Sequence, residues 1–335
     1  MNRQAGIRIS VIVPTYNRKH YLPQLVESLA AQTLPADQYE VIVVDNCSTD
    51  GSDDLMRDYA RTVSFRLVYH RNPANLGVSK SRNVGARLAQ ASLLAFTDSD
   101  CTATQDWLEQ ALKATDENPT AAIVTGTVVN KPGVRSSFFS IGESAIHSEN
   151  PFFPTCNIVY RREVFVEVGG FNEDFYFFDM FSAPLECGDV DLGWRIKEAG
   201  HVSIFAPAMM MYHELRLVPP VEWLASYIRV MSVPLMARMH PGFRERVMWW
   251  GPFCLRDNLL FYLAVVGLVL GAAVSPWIFA LTLVFVIRLV LIANPRLSVT
   301  GVALLFPKVF FLILRQTIIC AALLYGSIRD RCMVL

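Results

Sequence analysis

Several common signatures are missing from this 335-residue sequence. Its seven cysteines, Cys47, Cys101, Cys156, Cys187, Cys254, Cys320 and Cys332, include no C-x-x-C pair, which fits neither a zinc site nor a disulfide framework, so reduced and mostly structural thiols are expected. No long apolar run occupies the N-terminus, where MNRQAGIRISVIVP leads directly into a strand-like stretch. A cleavable signal peptide is therefore not expected, and the front half is expected to stay in the cytosol. No G-x-G-x-x-G follows the first strand-like run and no G-x-x-x-x-G-K-[ST] occurs, so neither a dinucleotide fingerprint nor a P-loop supplies the counter-charge for a phosphate. Net charge is absent as well, with 30 Lys and Arg against 30 Asp and Glu. No nucleic-acid partner is expected.

The zero balance hides an asymmetry. Residues 1–220 carry 19 basic and 26 acidic side chains, residues 221–335 carry 11 and 4. No charged residue stands between Asn258 and Ile287, and apolar character resumes past Arg288 to Ala293. One membrane span needs about 20 apolar residues. This stretch is longer, and Ser275-Pro276 is a natural break, so a two-helix hairpin is expected over 258–274 and 276–293. A further apolar segment, 302–325, contains Lys308 and Arg315 on one helical face, which suits a span packed against protein or an in-plane helix. Two or three spans follow. Residues 221–257 mix Trp223, Tyr227, Trp249 and Trp250 with Arg229, Arg238, Arg244 and Arg246, as headgroup-level linker helices do. The expected organisation is a cytosolic domain over 1–220, interfacial helices over 221–257 and a membrane region over 258–335.

In the front half, apolar runs at Ile7 to Val13, Val41 to Val44, Phe65 to Tyr69 and Leu93 to Phe96 alternate with helical patterns at Tyr21 to Gln32, Asp50 to Ala60 and Val78 to Gln90. Such alternation predicts an α/β fold, a mostly parallel sheet with helices on both faces, whose ligands bind beyond the carboxyl ends of the strands. Polar residues follow each strand at that edge: PTYN, DNCSTDGS and TDSDC. In the last of these, Asp98 and Asp100 flank Ser99 directly after a buried strand, where two carboxylates repel unless a positive group sits between them. Hard oxygen ligands suit Mg²⁺ or Mn²⁺, held by carboxylates together with a substrate diphosphate.

The stretches SVIVPTYNRKHYLPQLVESLAAQT, EVIVVDNCSTDGS, NLGVSKSRNVGARLAQASLLAFTDSDC, GGFNEDF and GDVDLGWRIKEAG, in this order from Ile9 to His213, resemble the family 2 glycosyltransferases with a GT-A fold. The resemblance implies an inverting transfer from a nucleotide-sugar, with Asp98 and Asp100 on a metal at the diphosphate. Carried over residue by residue, it puts Pro14, Thr15, Tyr16 and Asn17 along the nucleotide pocket. Asp45 would accept from the base, Asn75 and Gly77 would shape the adjacent wall, Arg82 would contact base or phosphate, and Asp98 and Ser99 would meet the donor. In GDVDLGW it implies Asp189 as the general base that takes the acceptor hydroxyl's proton. The family often has an acidic residue where this chain has Gly188, which leaves Glu186 as a candidate for the acceptor. Asp191 is read as a helix N-cap or an acceptor residue, and Trp194 as core or a sugar-stacking ring. His213 would be a third metal ligand, and Gly169-Gly170-Phe171 a turn presenting donor and acceptor.

The apolar C-terminal segments add membrane lipid as a partner and favour a lipid-linked, polyprenyl-type or membrane-proximal acceptor. The Q-x-x-R-W of processive synthases is absent, which favours addition of a single sugar. Two other readings stay open on the residues alone: a catalytically silent sugar-nucleotide-binding scaffold, and a nucleotidyltransferase, which would release pyrophosphate and would have no use for GDVDLGW.

Overall fold

The computed structural model describes residues 6–134, 137–142, 145–175, 177–178, 184–185, 187–293 and 305–335. The chain divides into two compact units, one of Met1–Ser136, Gly142–Phe177 and Glu186–Arg216, the other of Ser137–Ile141, Phe178–Leu185 and Leu217–Leu335.

The first unit is built on an eight-stranded sheet: β1 (Ile9–Thr15), β2 (Tyr39–Asp45), β3 (Arg66–Arg71), β4 (Leu93–Phe96), β5 (Cys101–Ala103), β6 (Ala121–Asn130), β7 (Ile158–Arg161) and β8 (Val202–His213). Their order across the sheet is β3-β2-β1-β4-β7-β6-β8-β5. The half formed by β3, β2, β1 and β4 is parallel. Strand β7 enters antiparallel between β4 and β6, and β5 runs antiparallel against β8. Every residue of β1 and β2 is buried. That explains the apolar runs at their centres, Val11–Val13 and Val41–Val44, because a parallel strand covered on both faces has no solvent side to alternate toward. The helices are α1 (Leu22–Ala30), α2 (Ser52–Thr62), α3 (Val78–Leu88), α4 (Trp107–Glu117), α5 (Arg162–Glu167) and α6 (Gly188–Glu198). Expected and observed elements agree through β4 to within a few residues.

Register gathers the strand ends. Thr15 lies opposite Asp45, Asp45 opposite Arg71, and the chain leaving β4 stays beside β1, with Thr97 N–H bonded to the Ile12 carbonyl at 3.2 Å. Helix α3 lies against β1 and β2 at Gly85, where a Cβ would collide with Ile12 Cγ2 and stand 3.3 Å from Val44 Cγ2. Gly85→Ala is expected to destabilise the domain by about 1–3 kcal/mol through overpacking. A lowered thermal unfolding midpoint checks this; an unchanged one would show that α3 can back away freely.

In the second unit, short helices α7 (Pro220–Ala225), α8 (Val233–Met239) and α9 (Pro241–Val247) precede α10 (Arg256–Ala273), α11 (Phe279–Ala293) and α12 (Leu305–Asp330). Among the described residues three helices are long and apolar enough to cross a membrane: Arg256–Ala273, Pro276–Ala293 and Leu305–Asp330. Small residues let α10 and α11 approach closely. A Cβ at Gly267 would stand 2.9 Å from Leu281 Cβ and one at Gly271 2.7 Å from the Phe279 ring, and Thr282 Oγ1 donates to the Ala264 carbonyl at 2.8 Å. Fully buried Gln316 donates to fully buried Asn258 at 2.6 Å, joining α12 to α10.

Candidate active site

Asp45 ends β2 fully buried. Its Oδ1 accepts the Ser48 N–H at 2.8 Å, its Oδ2 accepts the Tyr69 hydroxyl at 2.6 Å, and Arg71 Nε lies 4.0 Å away. Burial first, then the bond and charge of Asp45, push the Tyr69 hydroxyl far up, so it stays a donor. The carboxylate is thereby fixed in orientation at the strand edge. After β1, Asn17 takes a left-handed conformation (φ 51°), donates its N–H to Ser48 Oγ and accepts the Thr49 N–H, both at 2.8 Å. Asp50 bonds the start of α2 through Ser52. Ser48, Thr49 and Asp50 after β2 thus serve turn formation and the start of α2. Tyr16 is 46% exposed, which removes core packing as its reason. Pro14 and Thr15 are buried, and the Thr15 hydroxyl has no hydrogen-bond partner among the described residues.

An amide ladder follows. Asn46 Nδ2 donates to Asn75 Oδ1 at 2.5 Å, and Asn46 Oδ1 accepts Leu76 N–H at 2.8 Å and Asn72 Nδ2 at 3.1 Å. Asn75 Oδ1 also accepts the N–H of Gly77, whose φ of 88° turns the chain into α3. From α3 the buried Arg82 reaches Asp98 Oδ1 at 3.1 Å, with its guanidinium 5.5 Å from the centre of the Phe171 ring. Arg82 is therefore spent across the site and not along its own helix.

The two carboxylates of TDSDC are neutralised separately, Asp98 by Arg82 and Asp100 by Arg18. Only the former was singled out in the sequence. Asp100 is buried, and while Arg18 takes Oδ2, Oδ1 has no hydrogen-bond partner among the described residues. It faces His213 Nε2 at 3.6 Å. Topology makes this contact: β5 follows the D-x-D directly and pairs with β8 so that Cys101 lies opposite His213, while Glu214 N–H bonds the Asp100 carbonyl. His213 Nδ1 sits 2.9 Å from the Glu214 carbonyl oxygen. With Nδ1–H donating there, Nε2 presents its lone pair toward Asp100 Oδ1. A cation placed between Nε2 in that neutral tautomer and Oδ1 would complete the arrangement. Asp100, Cys101 and His213 bring ligand-capable atoms within 4.8 Å of one another. Burial first, then Asp98 and Asp100, push the Cys101 thiol up, so a neutral thiol accompanies the carboxylate and imidazole. Oxygen and nitrogen donors fit Mg²⁺ or Mn²⁺. Ser99 is buried between the two aspartates.

Asp189 stands half-buried in the first turn of α6, its Oδ1 accepting the Val190 N–H at 2.9 Å. Its field is felt by the fully buried Tyr160 hydroxyl, which burial first and Asp189 next push far up, against Arg82 and Arg195. At Gly188, where the chain departs from the acidic pattern, a Cβ would lie 2.7 Å from Ser79 Oγ on α3, a hydroxyl that a rotamer change moves away.

Asp191 differs from the N-cap expectation. The residue before α6 is Cys187, so Asp191 is inside the helix and caps nothing, and it is fully buried with both Nε and Nη2 of Arg195 on its Oδ2 at 2.8 and 2.7 Å. Arg195 continues to the Gly170 carbonyl at 2.6 Å. Asn83 holds the same turn by exchanging two bonds with the Phe171 backbone, 2.8 and 3.0 Å, and Gly169 and Gly170 both have positive φ (83° and 69°). Trp194 is buried too, its Nε1 on the Pro151 carbonyl at 2.8 Å. Both side chains are thus buried. Glu186 lies outside the described residues.

Residues 10–172 match the family model described as glycosyl transferase family 2. Glycosyltransferase AglE of Haloferax volcanii is 29% identical over 237 residues, 66% of this chain and 71% of AglE. A glucosyl-dolichyl phosphate glucuronosyltransferase of the same organism is 32% identical over 182 residues, 50% of this chain and 56% of that protein. Among solved structures, the mannosyltransferase PcManGT from Pyrobaculum calidifontis, in complex with GDP-Man and Mn²⁺, is similar with a TM-score of 0.59 at 22% identity, covering 97% of this chain and 87% of that one. This last likeness concerns the fold.

Proposed function

The chain carries a glycosyltransferase domain of family 2, and from that premise we propose that the protein moves one sugar from a nucleotide-sugar, a UDP-sugar first, to a lipid-linked or membrane-proximal acceptor in glycan or cell-envelope synthesis. The observation that carries the donor reading is the convergence of Asp45, Arg82, Asp98 and Asp100 on one edge of one sheet, where an Asp100 oxygen with no hydrogen-bond partner among the described residues faces His213. Asp45 accepts a hydrogen bond from the base, and Pro14, Thr15, Tyr16, Asn17, Asn75, Gly77 and Ser99 line the nucleotide. Arg82 meets the diphosphate. Asp98, Asp100 and His213 hold Mg²⁺ or Mn²⁺, which when bound supplies Lewis-acid neutralisation of the leaving diphosphate. Asp189 takes the proton from the acceptor hydroxyl as its oxygen bonds the anomeric carbon and the bond from that carbon to the phosphate oxygen breaks. Attack opposite the leaving group inverts the anomeric centre.

Support for a lipid-linked acceptor comes from the three apolar helices and from likeness to a protein named for action on glucosyl-dolichyl phosphate. On this reading the enzyme is a multi-pass membrane protein with its catalytic domain facing the cytoplasm. The test is a panel of radiolabelled UDP-, GDP- and dTDP-sugars with a membrane lipid extract. Label is expected in the lipid fraction with stoichiometric nucleoside diphosphate. Release of pyrophosphate, or no transfer from any donor, would overturn the proposal.

A further inference from the structure

The second unit contains two cations that sugar transfer leaves without a task. Lys308 and Arg315 stand seven residues apart on α12, two turns and so on one face, about 10 Å apart along the axis. The helix is apolar enough to cross a membrane. Cations in such a segment ordinarily pair with carboxylates or line a polar path. Here Asp257 is taken by Arg288 and Asp330 by Arg329, and no ion pair joins Lys308 or Arg315 to a carboxylate among the described residues. Both face aromatic rings instead. Lys308 Nζ lies 6.0 Å from the centre of Phe138 and 3.4 Å from the Ala293 carbonyl, and the Arg315 guanidinium lies 5.6 Å from the centre of Tyr227. Arg315 Nε is buried and without a hydrogen-bond partner among the described residues. The rings form one layer, Trp223 lying 5.3 Å from Phe138 and 5.2 Å from Tyr227.

A ligand that completes this arrangement carries concentrated negative charge on an apolar body. A glycerophospholipid diester offers one charge; a phosphate monoester or diphosphate of a lipid alcohol offers two or more, matching two cations. We propose that Lys308 and Arg315, with the ring layer of Phe138, Trp223 and Tyr227, bind the terminal phosphate or diphosphate of a single-chain lipid, the guanidinium and ammonium on the phosphate oxygens and the first part of the chain along the rings. The assignment deepens the lipid-linked acceptor reading and rests on it for the choice of lipid.

The test uses the full chain in phosphatidylcholine nanodiscs with a polyprenyl monophosphate as probe. The wild type is expected to bind the probe and not the corresponding polyprenol. Lys308→Gln with Arg315→Gln is expected to weaken binding at least tenfold, Lys308→Arg to retain it, and UDP binding to stay unchanged in all three. Equal affinity in the double variant, or equal competition by phosphatidylglycerol, would overturn the site. Should the double variant fail to fold, a diazirine-bearing polyprenyl phosphate is expected to label wild-type peptides within 220–230 or 305–316; labelling confined elsewhere would overturn it. Binding of the probe without sugar transfer to it supports the site and removes the acceptor reading. Transfer to the probe that both substitutions leave untouched does the reverse.

Discussion

Asp100→Asn is expected to lower the rate of sugar transfer about a thousandfold while leaving the protein folded. A metal's neutralisation of the leaving diphosphate is worth several kcal/mol, and each 1.4 kcal/mol is about tenfold in rate. The substitution isolates that contribution because of how Asp100 is held. Asparagine has the same shape, and its amide oxygen can still accept from Arg18 where Oδ2 does now. What changes is Oδ1, the buried oxygen that has no hydrogen-bond partner among the described residues and faces His213 Nε2 at 3.6 Å. Exposed to solvent along part of its length, Arg18 loses little when its partner becomes neutral. Initial rates with saturating donor, read beside the thermal unfolding midpoint, check the prediction. EDTA is expected to reproduce the loss in the wild type, with recovery on adding Mn²⁺ or Mg²⁺. Full activity of Asp100→Asn, or indifference to the chelator, would remove the metal from the mechanism.

Asp189→Asn is expected to cost about a hundred- to ten-thousandfold in kcat with the donor KM unchanged, the size of a lost general base. Its neighbour supplies the control. Asp191→Asn leaves Arg195 with a neutral partner at a fully buried position and loosens the hold on the Gly170 turn. Breaking a buried pair costs about 3–5 kcal/mol, so that variant is expected to lose stability first. A stable, inactive Asp191→Asn together with an active Asp189→Asn would exchange the two roles.

The helical period explains why GDVDLGW misleads when read as a line. Residues 189 and 191 are about 200° apart around α6, so one carboxylate stays half-buried at the start of the helix and the other turns fully inside against Arg195. By contrast, the strands β1, β2 and β4 were legible because complete burial leaves continuous apolar runs, and the polar residues after them announce the edge at which they end. The far half of the sheet was not. Strand β7 is the four-residue IVYR, which becomes a strand only by pairing antiparallel with β4 and β6. His213 could be suspected from the sequence but not located, since its approach to Asp100 depends on the register of β8 against β5. Arg18, Tyr69, Asn83 and Arg195 escaped notice for the same reason. Each works through a partner that the sheet or a turn brings from elsewhere: Asp100, Asp45, Phe171 and Gly170.

The corner between Asp100 and His213 is where the donor reading and the metal reading meet, so binding of the ion itself is the most direct measurement. Free Mn²⁺ can be followed by electron paramagnetic resonance as the full-length protein is titrated, with and without a nucleoside diphosphate. The expected result is one bound Mn²⁺ per chain that requires the nucleotide, is weakened at least tenfold by His213→Ala, and is lost in Asp100→Asn. Equal, nucleotide-independent binding in the wild type and Asp100→Asn would contradict the assignment of this strand edge as the metal and diphosphate site.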